Sequence, residues 1–393
     1  MMQVQKAKHV EALTSNYAVA YAVKAADVDV IAVYPITPQT TIVEKLSEFV
    51  ANGELNAELI HAESEHSALS AVVGAAATGA RVFTATSSQG LELAHEVLHI
   101  ASGMRLPIVI AVPTRAVSAP ISIHNDYGDV MNARDTGWVI LIAASAQEVY
   151  DTVIQAYRLA ESVYLPVIVA YDGFLMSHTV EPVELNEEEE VRKFLPRVVR
   201  PYTLNPKRPV TMGPLASPDW YYEFKYQQVL ALREAYKIAK EVDAEYGRRF
   251  GRSYGVLETY RMEDADYAIV TYGGAAFGNA KAAADMARER GIAAGVVRVR
   301  LYRPFPTADI LKALAGVKAF AVLDRAIMFG SPAEGPLYKD IATAMFMNGV
   351  DKPALNVIHG IGQRTMYVED MYKIYTMLRD QPRKEVIFMG VRI

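Results

Sequence analysis

The stretch VDVIAVYPITPQTTIVEKLSEFV, residues 28–50, decides the fold. It opens with an apolar run, 28–33, that predicts a β-strand buried on both faces. An amphipathic helix is predicted by the apolar residues that follow at helical spacing, Ile42, Val43, Leu46, Phe49 and Val50. Between strand and helix, Pro38 fits the first helical position and Thr37 can cap the free backbone donors. The alternative is that this turn presents Thr37 and a helix N-terminus to an anion.

The same alternation of strand and helix runs from Ser15 to about Tyr171. Because the strands are apolar on both faces, they indicate a parallel sheet covered by helices on each side. The further predicted strands are 57–62, 80–86, 106–112, 138–143 and 165–171.

The pattern changes after residue 181, where an acidic run and several prolines predict a connector on the surface. A long amphipathic stretch, 219–250, follows it, and a second strand–helix series starts at 266–274. We therefore expect an α/β protein with a first domain at 1–255 and a smaller α/β domain at 256–393.

The composition excludes several classes of function. Of the 393 residues, 51% are hydrophobic and 22% charged, and the net charge of −5 provides no basic surface for nucleic acid. The sequence also has no membrane-spanning run and no signal-peptide core, which predicts a cytoplasmic protein without a membrane partner. It has no cysteine, so any iron–sulfur cluster of the reaction must belong to another chain.

Polar side chains follow four of the predicted strands, where ligands of a parallel sheet bind. Thr37, Glu65 and Arg115 are the main candidates. Glu65 also fits a helix start that only complements the dipole, and Arg115 fits an ion pair with Asp126 or Asp129. The HAESEH stretch at 61–66 lacks the spacing of a zinc helix, so no metal site is expected in this chain. YGGAAFG (272–278) indicates close strand–helix packing and GIGQR (360–364) a turn, while the role of His124 stays open.

Longer motifs identify a family. Five stretches of the sequence resemble the α subunit of pyruvate:ferredoxin oxidoreductases, which belong to the 2-oxoacid:ferredoxin oxidoreductases of anaerobic metabolism. They are YPITPQTTIVEKLSEF, ESEHSALSAVVGAAATGARVFTATSSQGLELAHE, TRAVSAPISIHNDYGD, RDTGW and SHTVEPVE. The resemblance implies a thiamine diphosphate pyrimidine-binding domain followed by a domain like the transketolase C-terminal domain. It also implies oxidative decarboxylation of pyruvate to acetyl-CoA and CO₂, reversibly, with electrons passing to ferredoxin.

The resemblance further implies roles for individual residues. Thr37 and Arg115 correspond to the motif residues that contact the substrate, and Glu65 to the glutamate on the aminopyrimidine of the cofactor; Pro35 is expected to contact the cofactor too. A carboxylate at that nitrogen promotes the tautomer that deprotonates the thiazolium carbon. A guanidinium fork suits the carboxylate of a 2-oxoacid.

The family resemblance also predicts an obligate complex. The Gly-Asp-Gly motif that normally holds the diphosphate and Mg²⁺ is supplied by neither YGDVM nor YDGFL. We expect a β subunit to hold the diphosphate and Mg²⁺, a δ subunit to carry the [4Fe–4S] clusters, and a γ subunit, with coenzyme A as a substrate. The alternatives are a branched-chain 2-oxoacid:ferredoxin oxidoreductase α subunit, a β-type subunit of a 2-oxoacid dehydrogenase that uses lipoamide, and a non-catalytic scaffold.

Overall fold

The computed structural model describes residues 9–392, and its larger sheet is built mainly from the first half of the chain. After β1 (His9–Thr14), six strands of this sheet run parallel to one another: β2 (Val30–Val33), β3 (Glu58–His61), β4 (Val82–Ala85), β5 (Val109–Thr114), β6 (Val139–Ile142) and β7 (Val167–Asp172). The parallel sheet expected from the doubly apolar strands is therefore confirmed.

Helices cover both faces of this sheet. They are α1 (Ser15–Ala25), α2 (Thr40–Ala51), α3 (Glu65–Thr78), α4 (Gln89–Leu93), α5 (His95–Gly103), α6 (Gly128–Asn132) and α7 (Ala146–Val163). Along β5, Val109 and Ala111 pack into one buried cluster with α1 and α7, whereas Ile110 and Val112 pack into another with α3 and α5. This alternation is why the strand is apolar at every position.

The segment after residue 181 is more ordered than expected. β8 (Val180–Leu185) pairs antiparallel with β1, and α8 (Glu188–Phe194) buries Val191 and Phe194. The prediction of a surface connector is therefore wrong for this part, because two apolar side chains on one face of an acidic helix suffice to anchor it. α9 (Pro218–Phe250) follows, and its second half packs on α7 through Ala235, Ala239 and Val242 among others.

The second half of the chain forms a six-stranded sheet. Its strands are β9 (Leu257–Tyr260), β10 (Tyr267–Thr271), β11 (Ala294–Val299), β13 (Ala319–Asp324), β14 (Ala354–Ile358) and β15 (Glu385–Phe388), of which only β9 is antiparallel. Between β11 and β13, β12 (Leu301–Arg303) instead joins the edge of the first sheet, antiparallel to β6. The helices are α10 (Gly274–Glu289), α11 (Thr307–Ala313), α12 (Pro336–Met347) and α13 (Val368–Asp380).

Asp172, at the carboxyl end of β7, joins the two sheets. Its Oδ2 accepts the backbone N–H groups of Gly274 and Ala275 at 2.8 Å each, and its Oδ1 accepts Nη1 of Arg325 at 2.7 Å. The carboxylate thus caps the positive end of α10 and neutralises a buried guanidinium. The carboxyl ends of β7, β10 and β13 consequently meet at one place. No helix between residues 9 and 392 has the length and apolar character needed to cross a membrane.

Candidate active site

The YPITP turn is fixed by Gln39 rather than by a helix cap. Nε2 of Gln39 donates to the carbonyl of Tyr34 at 2.8 Å and to that of Ala85, at the end of β4, at 3.0 Å. α2 begins at Thr40, and Gln39 occupies the cap position without a side-chain cap bond. The prediction of Thr37 as cap and Pro38 as first helical residue is therefore wrong, and the exposed Thr37 side chain stands clear of the helix.

Arg115 lies directly beside this turn. Its side chain is 5% exposed, with Nη1 donating to the carbonyl of Thr37 at 3.0 Å and Nε donating to that of Ser122 at 2.8 Å. Nη2 has no hydrogen-bond partner among residues 9–392. Burial lowers the pKa of Arg115, but a guanidinium keeps its charge at physiological pH. The Nη2 group of Arg115 is therefore available to bind an anion.

Asp129 positions Arg115 through the backbone. Its Oδ2 accepts the backbone N–H of Arg115 at 3.0 Å and that of Ser88 at 2.9 Å. The carboxyl group is fully buried, and burial raises the pKa of Asp129 to about 8. The alternative interpretation of Arg115, an ion pair with Asp126 or Asp129, is not realised, because both carboxyl groups accept backbone N–H groups instead. Sequence reasoning considered Asp129 only as a counter-ion and missed this role.

Glu65 begins α3, as predicted, and its carboxylate packs beside Gly90 and Thr86. Ser64 caps the helix by accepting the N–H of Ser67, and Glu65 is 8% exposed. A Cβ atom at Gly90 would collide with both Oε1 of Glu65 and Oγ1 of Thr86. Oγ1 of Thr86 is buried without a hydrogen-bond partner among the described residues, and no other residue of 9–392 donates to the Glu65 carboxylate. Burial raises the pKa of Glu65.

Oε1 of Glu65 and Oγ1 of Thr86 therefore both pack directly against Gly90. A buried hydroxyl without a partner beside a carboxylate that accepts only from its own backbone suits a ligand that both donates and accepts hydrogen bonds. Sequence reasoning missed Thr86 and Gly90; the only signal was their place in TSSQG after β4.

The structure thus brings the predicted residues to one edge of the first sheet. Thr37 and Arg115 are in direct contact, and Asp129 connects Arg115 to Ser88 in the loop after β4, two residues before the Gly90 that Glu65 packs against. Pro35 is exposed beside Thr37. Within the described residues, no group of three or more His, Cys, Asp or Glu side chains is placed to hold a metal ion.

A parallel sheet covered by helices, with polar side chains at its carboxyl edge, places this chain in the class of α/β proteins that bind a ligand at that edge. Residues 21–244 match the family described as "Pyruvate flavodoxin/ferredoxin oxidoreductase, thiamine diP-bdg", and residues 265–371 match "Pyruvate:ferredoxin oxidoreductase core domain II". The chain belongs to the pyruvate flavodoxin/ferredoxin oxidoreductase family, so the resemblance drawn from its motifs is confirmed.

Individual relatives agree with this assignment. The chain is 46% identical over 389 residues to "Pyruvate synthase subunit PorA" of Methanocaldococcus jannaschii, covering 98% of each chain. It is 46% identical over 364 residues to "Ketoisovalerate oxidoreductase subunit VorA" of Pyrococcus horikoshii, covering 92% of each. A solved 2-oxoglutarate:ferredoxin oxidoreductase from Magnetococcus marinus superposes with a TM-score of 0.71 at 20% identity, over 95% of this chain and 66% of that one, and supports the fold.

Proposed function

We propose that this chain is the α subunit of a pyruvate:ferredoxin oxidoreductase. The complex converts pyruvate and coenzyme A to acetyl-CoA and CO₂, reversibly, and passes the electrons to ferredoxin. Family membership and relatives named as pyruvate synthase subunits support this reaction. The structural observation that carries it is the buried carboxylate of Glu65, which no other described residue donates to, beside the unpaired hydroxyl of Thr86.

Glu65 and Thr86, beside Gly90, would hold the aminopyrimidine ring of thiamine diphosphate. When bound, this cofactor would supply a nucleophilic thiazolium carbon for reaction with a 2-oxoacid. Glu65 would hydrogen-bond to the ring nitrogen, and burial, which raises the pKa of Glu65, strengthens its tendency to share a proton there. Thr86 would supply a second polar contact to the ring, and Pro35 would also contact the cofactor.

Thr37 and Arg115 bind the substrate carboxylate. Arg115 and Thr37 are in direct contact, because Nη1 of Arg115 donates to the Thr37 carbonyl at 3.0 Å, while Nη2 of Arg115 is free and the Thr37 side chain is exposed. A guanidinium fixed before binding orients a carboxylate at little entropic cost. We therefore assign both residues to substrate positioning.

The remaining half of the cofactor site belongs to other chains. This chain supplies no cysteine for a cluster, and apolar side chains beside the site are exposed, Ile121 by 76% and Ile123 by 44%, on either side of the Ser122 that holds Arg115. Exposed apolar residues around a site are typical of a surface that a partner covers. A β subunit would hold the diphosphate and Mg²⁺, a δ subunit the [4Fe–4S] clusters, and a γ subunit would complete a cytoplasmic complex.

Within this proposal, the chain divides into a pyrimidine-binding domain at 1–255 and a transketolase-like domain at 256–393.

A Glu65→Gln substitution in the assembled complex tests the proposal. Glutamine keeps the size of the side chain but cannot share a proton, so pyruvate-dependent ferredoxin reduction should fall about 10²–10⁴-fold. Glu63→Gln is the matched control, since Glu63 is exposed two residues away, and it should retain full activity. Full activity of the Glu65→Gln complex would leave only a scaffold role for this chain.

A branched-chain 2-oxoacid is the second candidate substrate, because the ketoisovalerate relative has the same 46% identity as the pyruvate relative. The kcat/KM values for pyruvate and 2-ketoisovalerate, measured on one preparation, distinguish the two. A higher value for 2-ketoisovalerate would replace pyruvate in the proposal and leave the site unchanged. Replacing ferredoxin by lipoamide as acceptor tests the dehydrogenase alternative.

A further inference from the structure

A second polar cavity lies at the carboxyl edge of the sheet in the second half of the chain. It has a volume of about 160 Å³ and is lined by the first turn of α10, by residues that follow β13 and β14, and by the GIGQR segment at 360–364. A single water needs roughly 10–15 Å³ by the same measure, so the cavity has room for a small organic molecule. The function proposed above uses none of its lining residues.

His359 is the most unusual of these residues. It is 4% exposed and lines the cavity, yet neither Nδ1 nor Nε2 has a hydrogen-bond partner within residues 9–392. Leaving such groups unpaired costs about 1–3 kcal/mol each, so a native structure normally supplies a partner. Because burial and the nearby Arg325 lower the pKa of His359 to about 3, its imidazole is neutral and offers one donor and one acceptor.

The charges around the cavity favour an anion. Arg325 uses Nη1 to bind Asp172, while its other two guanidinium nitrogens have no partner among the described residues. Arg364, at the mouth, is exposed and its side chain is likewise unpaired there. The cavity lining contains no aspartate or glutamate. Outside the lining, Asp172 balances the charge of Arg325 and caps α10, and Asp126 accepts the backbone N–H of Gly362, so Arg364 provides the uncompensated positive charge.

We propose that this cavity binds the oxyanion of a small metabolite, a phosphate or a carboxylate. Arg364 neutralises the anion, Arg325 and His359 donate N–H groups to it, and the side chains of Leu175, Met366 and Met371 contact the apolar part of the ligand. The cavity also adjoins the substrate loop, because Oε1 of Gln363 accepts the backbone N–H of Asn125 at 3.3 Å and Asp126 accepts that of Gly362 at 3.2 Å. A ligand in the cavity would therefore lie next to the loop that contains Ser122, whose carbonyl accepts a hydrogen bond from Arg115.

Calorimetric titration of the assembled complex with inorganic phosphate, and separately with sodium acetate, tests this site. At least one anion should bind saturably, and Arg364→Gln should weaken that binding about tenfold, roughly the loss of one charge-assisted contact. Arg248→Gln is the matched control, because Arg248 is exposed on the last turn of α9 and far from the cavity lining. Binding of phosphate alone assigns the ligand as a phosphorylated metabolite, and binding of acetate alone assigns it as a carboxylate.

The absence of saturable binding for both anions, or equal affinities in the wild type and Arg364→Gln, would overturn the proposal and leave the cavity to water. Arg364 is exposed, so its substitution preserves the fold. His359→Gln gives a second test with the same expected loss of affinity. These readouts are binding affinities, so they stay informative even if Glu65→Gln shows that the proposed activity is wrong.

Discussion

Replacing Gly90 by alanine tests the proposed cofactor contact of Glu65 and Thr86 with a single methyl group. The added Cβ would collide with Oε1 of Glu65 and Oγ1 of Thr86 and lie 2.7 Å from Cδ of Glu65, well inside contact distance. Overpacking of this kind costs about 1–3 kcal/mol. Because about 1.4 kcal/mol corresponds to a tenfold change, thiamine diphosphate affinity should fall roughly 5- to 150-fold.

The assay is equilibrium binding of thiamine diphosphate to the assembled complex, followed by quenching of tryptophan fluorescence or by calorimetry. Gly74→Ala is the control, because Gly74 lies in the same layer of the fold, within α3, and an added Cβ there meets nothing within 4 Å. That substitution should leave the affinity unchanged and raise helix stability by about 1 kcal/mol. Equal affinities for Gly90→Ala and the wild type would refute the placement of the pyrimidine ring between Glu65 and Thr86.

Substitutions at three further residues probe the groups around this site. Arg115→Lys removes the guanidinium that donates to the Thr37 and Ser122 carbonyls. The KM for pyruvate should rise by an amount equivalent to about 2–5 kcal/mol, with thiamine diphosphate affinity intact. Loss of cofactor binding instead would show that Arg115 does not act on the substrate. Asp129 keeps its proton in the folded state up to about pH 8, whereas the unfolded chain loses it near pH 4, so its contribution to stability is lost as the pH rises through this window. The Tm difference between Asp129→Asn and the wild type should therefore shift in favour of the variant as the pH rises from about 4 to about 8, and a constant difference would contradict the buried, protonated carboxyl group. Asp172→Ala leaves the buried Arg325 unpaired and should cost about 3–5 kcal/mol in thermal or chaotrope unfolding, more than Asp172→Asn; equal losses would show that the charge is unimportant.

The fold followed from the sequence where hydrophobic pattern alone decides it. The parallel strands of the first sheet are apolar at every position because both faces are covered, and this pattern is visible without coordinates. β8 was missed because Val180–Leu185 contains two glutamates and a proline and buries mainly Val183, so its pairing with β1 depends on a distant segment. β12 was missed because three residues carry no period at all.

The site was predictable as a set of residues but not as a set of contacts. Glu65, Thr37 and Arg115 follow strands of one parallel sheet, so their convergence follows from topology. The role of Asp129 depends on backbone N–H groups, which every residue has and no motif marks. Gly90 matters only through atoms that approach it from two other segments, and sequence spacing contains no such distance.

β12 has a consequence for anyone who wishes to divide this protein. Leu301–Arg303 come from the second half of the chain yet close the edge of the first sheet beside β6. A fragment ending near residue 255 would expose β6 as an edge strand with unpaired backbone N–H and C=O groups. Other copies of the fragment could pair with this edge, so the fragment would be prone to aggregate. The two halves must therefore be kept together whenever the protein is expressed, exchanged with a relative or fused to another protein.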